Sequence, residues 1–366
     1  MKPTTALALL AALALAPAAL ADRKEVQYHP DGSVVAEGRY YESIVEWQRS
    51  EQFQRGGHRC ASEEGLDLEM LRMLGDPTDC TFGNTTIDPD YEAATGIVYQ
   101  IPTVIHVIST TGGTGNLPQP LVESQIDVLN EDFQAILGTN GENGYNSKFE
   151  FVLVDEEPDG TPTDGVYFHT NNDWFQDPGP GAPNNMKEAL AWDTTRYLNV
   201  YSNDAAGNLG YATFPQTSAG TINDGIVLHW SSVGFLNPDG GVYNLGRSGT
   251  HEIGHWLGLF HTFQSGCGTA SSPGCYTTGD LICDTPAQSG QQFGCPVGIT
   301  TCGGITSDIE NYMNYTDDAC MERFTQEQSN RMRCSFVNYR PEMLLEILFE
   351  DGFESGDVTA WTTSEG

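Results

Sequence analysis

The chain has 366 residues, of which 50 are acidic and 16 are basic, so its formal net charge is −34. Such a charge repels phosphate backbones and anionic lipid surfaces, which argues against nucleic acid as a partner, and it supplies carboxylates for hard cations such as calcium. The length exceeds what one compact domain usually needs, so we expect a large domain with a pro-segment or appendage.

The first residues are typical of a secretory signal peptide, which we assign to residues 1–21. Lys2 gives a basic start, an apolar run extends from Ala6 to Leu15, and Ala19 and Ala21 form an Ala-x-Ala cleavage site. That run is too short and too rich in alanine for a membrane anchor, and no later stretch approaches the ~20 apolar residues that a span requires. We therefore expect a secreted, extracellular protein with no membrane anchor.

Residues 22–95 are polar, mixed in character and rich in turns, with no sign of a large core of their own. They contain a helical pattern, "EEGLDLEMLRML", and a turn-rich stretch, "GDPTDCTFGNTTIDPD". We predict that this segment is a pro-segment, removed by a cut in the window of residues 80–97.

The pattern changes to alternating strands and helices over residues 96–340. A β-rich run, "GIVYQIPTVIHVIS", comes first, and an amphipathic helix follows Pro120 with apolar residues at steps of three and four. "FEFVLVD" and "YLNVYSN" predict further strands, and "DGIVLHWSSVG" predicts an edge strand near a cleft. Strands interleaved with two long helices indicate an α/β domain. Residues 341–366 end the chain as an acidic, flexible tail.

Three of the eight histidines fall in one short stretch, "GTHEIGHWLGLFHTF". They could be packed helix-face histidines, or ligands presented to one metal ion. On a helix His251 and His255 share a face, and Glu252 is rotated by about 100°, close to the metal yet free to act as a base on its water. Gly258 permits the helix to end and the chain to turn, which brings His261 round as a third ligand. Three protein ligands and one open position indicate catalytic zinc.

The pattern His-Glu-x-x-His-x-x-Gly-x-x-His resembles the zinc signature of the metzincin metalloproteases. Further stretches resemble the pappalysin (M43) group within them, over about residues 97 to 335: "IPTVIHVI", "SQIDVLNEDF", "YLNVYSND", "LGYATFP", "GDLICDTP", "NYMNYTDDACM" and "FTQEQSNRMR". The resemblance implies a metzincin-type zincin. Such a fold has a mixed twisted sheet, a backing helix, an active-site helix and a C-terminal subdomain stapled by disulfides.

The function implied is zinc-dependent hydrolysis of peptide bonds, with Glu252 taking a proton from water and delivering it to the leaving amine. By resemblance, Met313 forms a methionine turn beneath the metal, and Tyr315 stabilises the tetrahedral oxyanion. Without the family, Met313 would be core filler and Tyr315 a buried, hydrogen-bonded tyrosine. Two alternatives are an inactive surface adhesion module on the same fold and a zinc hydrolase acting on a non-peptide ester or amide.

The nine cysteines fit the family's pattern in part. The resemblance implies two crossed bridges, Cys267–Cys302 and Cys295–Cys320, and Cys275 and Cys283 enclose a short insertion and can pair with each other.

Cys60, Cys80 and Cys334 remain. "HRCASEEG" resembles the Arg-x-Cys-Gly pro-segment motif in which a thiolate blocks the zinc, although Ala61 replaces the glycine. Cys80 would then pair with Cys334, and a Cys60–Cys80 bridge is the rival arrangement.

Two more sites follow from the resemblance. Asp280, Thr285 and the carbonyl of Cys283 match the spacing of a structural calcium site, and all three offer the oxygen ligands that calcium requires.

Asp318 lies five residues after Met313, where basic-specific pappalysins place an aspartate at the floor of the pocket beyond the scissile bond. We therefore predict a preference for Arg, and less strongly Lys, immediately after the cut bond. The alternative is that Asp318 is a solvated or calcium-linked loop acid.

Overall fold

The computed structural model describes residues 26–62, 80, 91–93, 97–179, 185–271 and 274–344. The predicted signal peptide, the helical pattern at residues 63–74 and most of the predicted tail lie outside these residues. Among the described residues, no helix is long and apolar enough to cross a membrane.

The N-terminal segment forms a small antiparallel sheet followed by two short helices. The sheet has the order β1 (Val26–Tyr28), β2 (Val34–Ala36), β3 (Arg39–Tyr41), and the helices are α1 (Ile44–Gln48) and α2 (Glu51–Arg55). Its apolar side chains, such as Trp47 and Phe53, pack in one cluster with Leu209 and Tyr243 of the large domain. The polar composition did not predict this small core, because its apolar residues are scattered among polar ones along the segment and only the fold gathers them against Leu209 and Tyr243.

A six-stranded mixed sheet forms the centre of the large domain. Its strands are β4 (Tyr99–Ser109), β5 (Phe149–Leu153), β6 (Val166–Thr170), β7 (Leu198–Asn203), β8 (Gly210–Ala212) and β9 (Ile226–His229). Along the sheet the order is β5-β4-β7-β9-β8, and β6 pairs with the second half of β4. Strand β8 alone of these six is antiparallel to its neighbour.

The predicted edge position of "DGIVLHWSSVG" is wrong. Strand β9 lies inside the sheet between β7 and β8 and is buried along its whole length, whereas the edge strand is the short β8 from "LGYATFP". The physical reason is that β8 folds back beside β9, so that it supplies the pairing that an edge strand lacks.

In the described part of the large domain, six α-helices flank or follow the sheet: α3 (Gln119–Gln134), α4 (Asn172–Phe175), α5 (Asn185–Leu190), α6 (Pro215–Ser218), α7 (Arg247–Trp256) and α8 (Gln326–Tyr339). The apolar stripe of α3 and the inner faces of α7 and α8 share the main core with one face of the sheet. Short pieces, including β10 (Thr300–Thr301) and β11 (Ile305–Thr306), make up the loop-rich region between α7 and α8. This is the predicted backing helix and active-site helix on a mixed sheet.

Disulfides close the C-terminal region and join it to the N-terminal part of the chain. The structure pairs Cys267 with Cys302, Cys295 with Cys320 and Cys275 with Cys283, which are the pairings expected from the sequence. It also pairs Cys80 with Cys334 and leaves Cys60 as a buried free thiol. The rival Cys60–Cys80 bridge is therefore not formed.

Candidate active site

Three imidazole nitrogens converge at the end of α7. The Nε2 atoms of His251 and His255 are 3.2 Å apart, and the Nε2 of His261 lies 3.2 Å from the first and 3.0 Å from the second. All three side chains are buried. Separations of this size are close to the edges of a tetrahedron around a zinc ion with bonds of about 2.0–2.1 Å to histidine nitrogen.

The opposite ring nitrogens decide which atoms are free to bind a metal. Nδ1 of His251 donates to the carbonyl of Tyr312 at 2.6 Å, and Nδ1 of His255 donates to the carbonyl of Leu259 at 2.8 Å. The Nε2 atom of each of these two rings is then unprotonated, because burial lowers the pKa of both imidazoles and keeps them neutral. Their two lone pairs therefore face each other across 3.2 Å. Such an arrangement is repulsive without a cation between the rings, so the donor set fits zinc.

The turn after α7 and the segment below it fix the third histidine. Gly258 has a φ of +92°, a conformation that L side chains rarely adopt, and the chain reverses there toward His261. Met313 is fully buried beneath the helix, and a Cβ on Gly254 would lie 2.4 Å from its sulfur. The glycine therefore allows the methionine to pack directly under the histidines.

Glu252 lies on the same helix but turns toward the edge strand β8. A Cβ on Gly210 would come within 2.8 Å of the Cγ of Glu252, so only glycine leaves room for the carboxylate there. Burial raises the pKa of Glu252 to about 7, while hydrogen bonds from Ser62 and Cys60 and the charge of Arg59 oppose that rise. A carboxylate with a pKa near neutrality can both accept and return a proton.

Cys60 faces the three histidines from the N-terminal segment. The thiol sulfur and the three histidine ligand atoms all lie within 4.8 Å of one another, and all four residues are buried. The sulfur is also 3.5 Å from Oε2 of Glu252. Burial, followed by the nearby Glu252, raises the pKa of this thiol. These four side chains offer the three-nitrogen, one-sulfur donor set that closes a tetrahedral zinc site.

The residues around Cys60 pair with β8. Leu209 donates its amide to the carbonyl of His58 at 2.9 Å, and Ala61 donates its amide to the carbonyl of Gly210 at 3.0 Å. The Ser62 hydroxyl accepts the Ala212 amide and donates to Oε2 of Glu252, both at 2.8 Å. The segment thus covers the free edge of the sheet and contacts the buried carboxylate of the active-site helix.

Arg59 fills a closed pocket beside the histidines. Its guanidinium donates to the Ser248 hydroxyl at 2.9 Å, lies 5.1 Å from the centre of the Tyr243 ring and is 3.9 Å from Oδ1 of Asp318. Asp318 is fully buried, and its Oδ2 accepts the amides of Leu245 and Arg247 at 2.9 and 3.2 Å. Asp318 is thus a buried acid facing a guanidinium, in contrast to the solvated loop acid that was the alternative.

Tyr315 packs against the third histidine. Its ring centre is 4.9 Å from that of His261 and 5.8 Å from that of His251, and it also contacts Phe263 and Phe293. The side chain is buried. The phenol ring therefore lies beside two of the three histidines.

The acidic loop "GDLICDTP" also folds inward. Asp280 is buried, and its carboxylate accepts the Thr285 hydroxyl at 2.7 Å and the Ile282 amide at 3.2 Å. Burial raises the pKa of Asp280 to about 7. The nearby Cys283 donates its amide to Glu327 at 2.8 Å. Asp280 and Thr285 are therefore brought together, and the loop that carries them contacts Glu327 of α8.

Sequence reasoning did not single out three residues of this region. Arg59 and Ser62 lie on either side of Cys60, in a stretch that the sequence analysis singled out only for its cysteine. The signal for Arg59 is a basic residue next to that cysteine, which can pair with the acid predicted at the floor of the substrate pocket. Asp132 is a buried acid between two core residues of α3. It accepts hydrogen bonds from Arg247, Thr250 and Tyr312 and so ties α3 to the active-site helix and the methionine turn.

Comparisons with known proteins agree with this geometry. A family model described as pregnancy-associated plasma protein-A, of peptidase family M43, matches residues 182–337. An extracellular metalloprotease of Colletotrichum graminicola is 36% identical over 298 residues, which cover 78% of this chain and 92% of the relative. An extracellular metalloprotease of Pyricularia oryzae is 36% identical over 250 residues, covering 66% of this chain and 76% of the relative.

Solved structures give the same result. A promirolysin variant of Tannerella forsythia is similar with a TM-score of 0.61 and 31% identity, covering 78% of this chain and 97% of that one. Mature mirolysin with a cleaved peptide is similar with a TM-score of 0.55 and 33% identity, covering 68% of this chain and 96% of that one. The family resemblance and the predicted fold class are both confirmed.

Proposed function

The chain belongs to the pappalysin (M43) family and is a zinc metalloendopeptidase, and on this premise we propose that it is a secreted enzyme, made latent, that prefers Arg or Lys after the scissile bond. The observation that carries this proposal is the placement of Arg59 and Cys60, one against Asp318 and the other against the three histidines. Secretion is supported by the signal-like N-terminus and by the extracellular relatives.

The catalytic roles follow from the positions of the side chains. His251, His255 and His261 would hold the zinc, which when bound polarises the scissile carbonyl and lowers the pKa of a water. Glu252 accepts the proton of that water and returns it to the leaving amine, a role suited by its buried carboxylate and raised pKa. Tyr315 would donate to the developing oxyanion, and Met313 would form the apolar base under the histidines.

Latency is assigned to the segment around Cys60. The Cys60 thiol would supply a fourth ligand to zinc held by the three histidines, and the Ser62 hydroxyl already donates to Glu252, so both the metal and the general base would be blocked. Cys60 would bind as the thiolate, since zinc deprotonates a coordinating thiol outright and so overcomes the effect of burial on its pKa. Ala61 in place of the motif's glycine does not prevent this approach, and its amide pairs with β8.

Substrate preference is assigned to the pocket that Arg59 fills. A guanidinium fits between Tyr243, Ser248 and Asp318, so a substrate with Arg at this position would make the same contacts after Arg59 leaves. A buried carboxylate that has lost its cationic partner is unfavourable, which gives the pocket a strong bias toward Arg and a weaker one toward Lys.

We also assign structural calcium to the loop of Asp280, Cys283 and Thr285. Asp280 is a buried carboxylate with a pKa raised to about 7, and a cation beside it would stabilise its ionised form. Removing calcium while zinc is kept should lower both the melting temperature and the activity. If both stay unchanged, this loop holds no calcium.

The proposal is tested by peptide-library cleavage profiling of the processed enzyme beside its Glu252→Ala variant. We expect cuts before Arg and Lys in the wild type and none in the variant, with loss of activity on zinc chelation in a casein gel. Bulky apolar residues after the cut bond, in an enzyme with intact zinc, would contradict the substrate preference.

Latency needs its own test. A full-length Cys60→Ala variant should cleave casein without processing, because the fourth ligand position is then open. A full-length Cys60→Ala variant as inactive as the wild-type precursor would contradict the role given to the thiol.

A further inference from the structure

We propose that the Cys80–Cys334 disulfide keeps the chain from Cys80 onward attached to the catalytic domain during activation. The inhibitory segment is then released only by a cut on the amino-terminal side of Cys80. The inference rests on the proposed function, because it takes residues 26–62 as the inhibitory segment. The sequence analysis instead predicted a cut in the window of residues 80–97. Every cut in that window leaves Cys80 attached to the inhibitory segment.

The attachment point lies in the core of the catalytic domain. Cys334 is in the middle of α8, buried, and its helix neighbours Met332 and Phe336 belong to the main hydrophobic cluster. The bridge joins positions separated by 254 residues. Cys80 is therefore held on the catalytic domain whichever peptide bond before or after it is cut.

Residues 91–93 and Ile97 also contact the catalytic domain, chiefly through α8. The Arg333 guanidinium donates to the carbonyls of Tyr91 and Ile97 at 3.0 and 3.1 Å. Gln326 donates to the Glu92 carboxylate at 2.9 Å, and Ala93 is buried. Removal of Tyr91 would leave the buried guanidinium of Arg333 without one of its acceptors, which is unfavourable. Residues 91–93 act as part of the enzyme although the composition groups them with the pro-segment.

The two possible positions of the cut have different consequences. A cut before Cys80 leaves the Cys60 segment bound by non-covalent contacts alone, so it can dissociate and be diluted. A cut between Cys80 and Ile97 leaves that segment linked through the disulfide to Cys334. Because only residues 63–79 separate that segment from Cys80, the effective concentration of the segment at its binding site stays in the range of about millimolar, so the thiol and Arg59 rebind and the enzyme stays latent.

The experiment uses two full-length variants, each with an inserted recognition sequence for a site-specific protease. One insertion follows Gly75 and the other follows Gly83, so they lie on either side of Cys80. After digestion without reductant, we expect the first variant to gain at least tenfold activity and to lose the segment on gel filtration. The second should keep the segment and stay within about twofold of the uncut precursor.

Two controls show whether the disulfide causes the difference. The second variant carrying Cys80→Ser and Cys334→Ser should become active on digestion without reductant. A dithiol, which reduces the bridge to two thiols and is itself oxidised to a cyclic disulfide, should give the same result in the original variant. Full activity of the Gly83 variant without reductant would overturn the proposal.

The failure of the proposed function would be recognised separately. If full-length Cys60→Ala is inactive, the role of Cys60 is wrong, and gel filtration still reports whether the segment leaves each cut variant. If Cys60→Ala is active but the variant cut after Gly75 is not, the proposal about Cys80 is overturned and the proposed function stands.

Discussion

The metal-binding side of the cleft and the side that holds Arg59 are built in different ways. The three histidines and Glu252 come from residues 251–261, and one helix and one turn place them. The other side brings Arg59 to Ser248, 189 positions away, and to Asp318, which lies inside the loop closed by the Cys295–Cys320 disulfide. The metal-binding chemistry is therefore encoded locally, whereas the proposed specificity and latency depend on residues that are brought together from distant parts of the chain. The two should be separable by mutation.

The largest effect is expected at Glu252. In the Cys60→Ala background, Glu252→Gln should lower kcat by roughly 10²–10⁴-fold, because the water loses its base, while one zinc per chain remains bound. Metal analysis and peptide hydrolysis check this together, and His255→Ala is the control that should lose zinc as well as activity. Loss of zinc from the Glu252 variant would contradict a purely chemical role.

The next effect is at the opposite side of the pocket. Asp318→Asn keeps acceptors for the amides of Leu245 and Arg247 but removes the charge, so the preference for Arg should fall by about 2–5 kcal/mol, roughly 30-fold or more in kcat/KM. Hydrolysis of a matched substrate with Leu in place of Arg should change by only a few fold.

The neighbouring Asp317→Asn is the matched control for Asp318, since this acid is partly exposed and should leave the preference largely intact. A selectivity for Arg that survives Asp318→Asn would show that the pocket recognises its cation through other groups.

A smaller effect is expected at Ser62, which contacts the active-site helix from the inhibitory segment. Ser62→Ala removes a donor to Glu252 and an acceptor for Ala212, and a hydrogen bond to a charged group contributes about 1.5–3 kcal/mol. The rate at which iodoacetamide labels Cys60 in the full-length precursor should therefore rise by roughly 10- to 100-fold.

Ser33→Ala provides the control for the Ser62 experiment, because Ser33 is a buried serine of the same segment whose hydroxyl donates to Asp31 at 2.7 Å. Equal labelling in the Ser62 variant and the wild type would mean that Cys60 and Arg59 hold the segment without the hydroxyl.

The last prediction concerns the pH dependence of stability and not catalysis or latency. His229 accepts the Ser231 amide at Nδ1 and contacts the Tyr28 hydroxyl at 2.8 Å, and burial lowers the pKa of this ring to about 3. The unfolded chain binds the proton near pH ~6.5. The stabilisation is therefore present above pH ~6.5 and is lost as pH falls toward about 3, by up to about 1.4 kcal/mol per pH unit.

Urea unfolding of the precursor at about pH 4 and pH 7 measures this loss. His229→Gln should reduce the difference in unfolding free energy between the two pH values, and a residual slope is expected from His106, whose pKa is also lowered to about 3 by burial. An unchanged slope in the variant would show that His229 does not titrate in this window.

Short-range patterns in the sequence account for the metal-binding side of the site. Helical spacing brings His251 and His255 to one face, and Gly258 allows the turn to His261, so these positions depend on backbone geometry within one segment. The apolar periodicity of α3 and the β-rich run of β4 likewise predict their elements, because burial of one face imposes a local period.

Only the tertiary structure decided the rest. The small N-terminal core, the interior position of β9 and the Cys80–Cys334 bridge depend on partners far along the chain. Arg59 and Ser62 carry no local pattern, and their meaning comes from Asp318 and Glu252 on the opposing surface. A single sequence encodes backbone periods directly, but it encodes a contact between distant side chains only through the packing that brings their surfaces together.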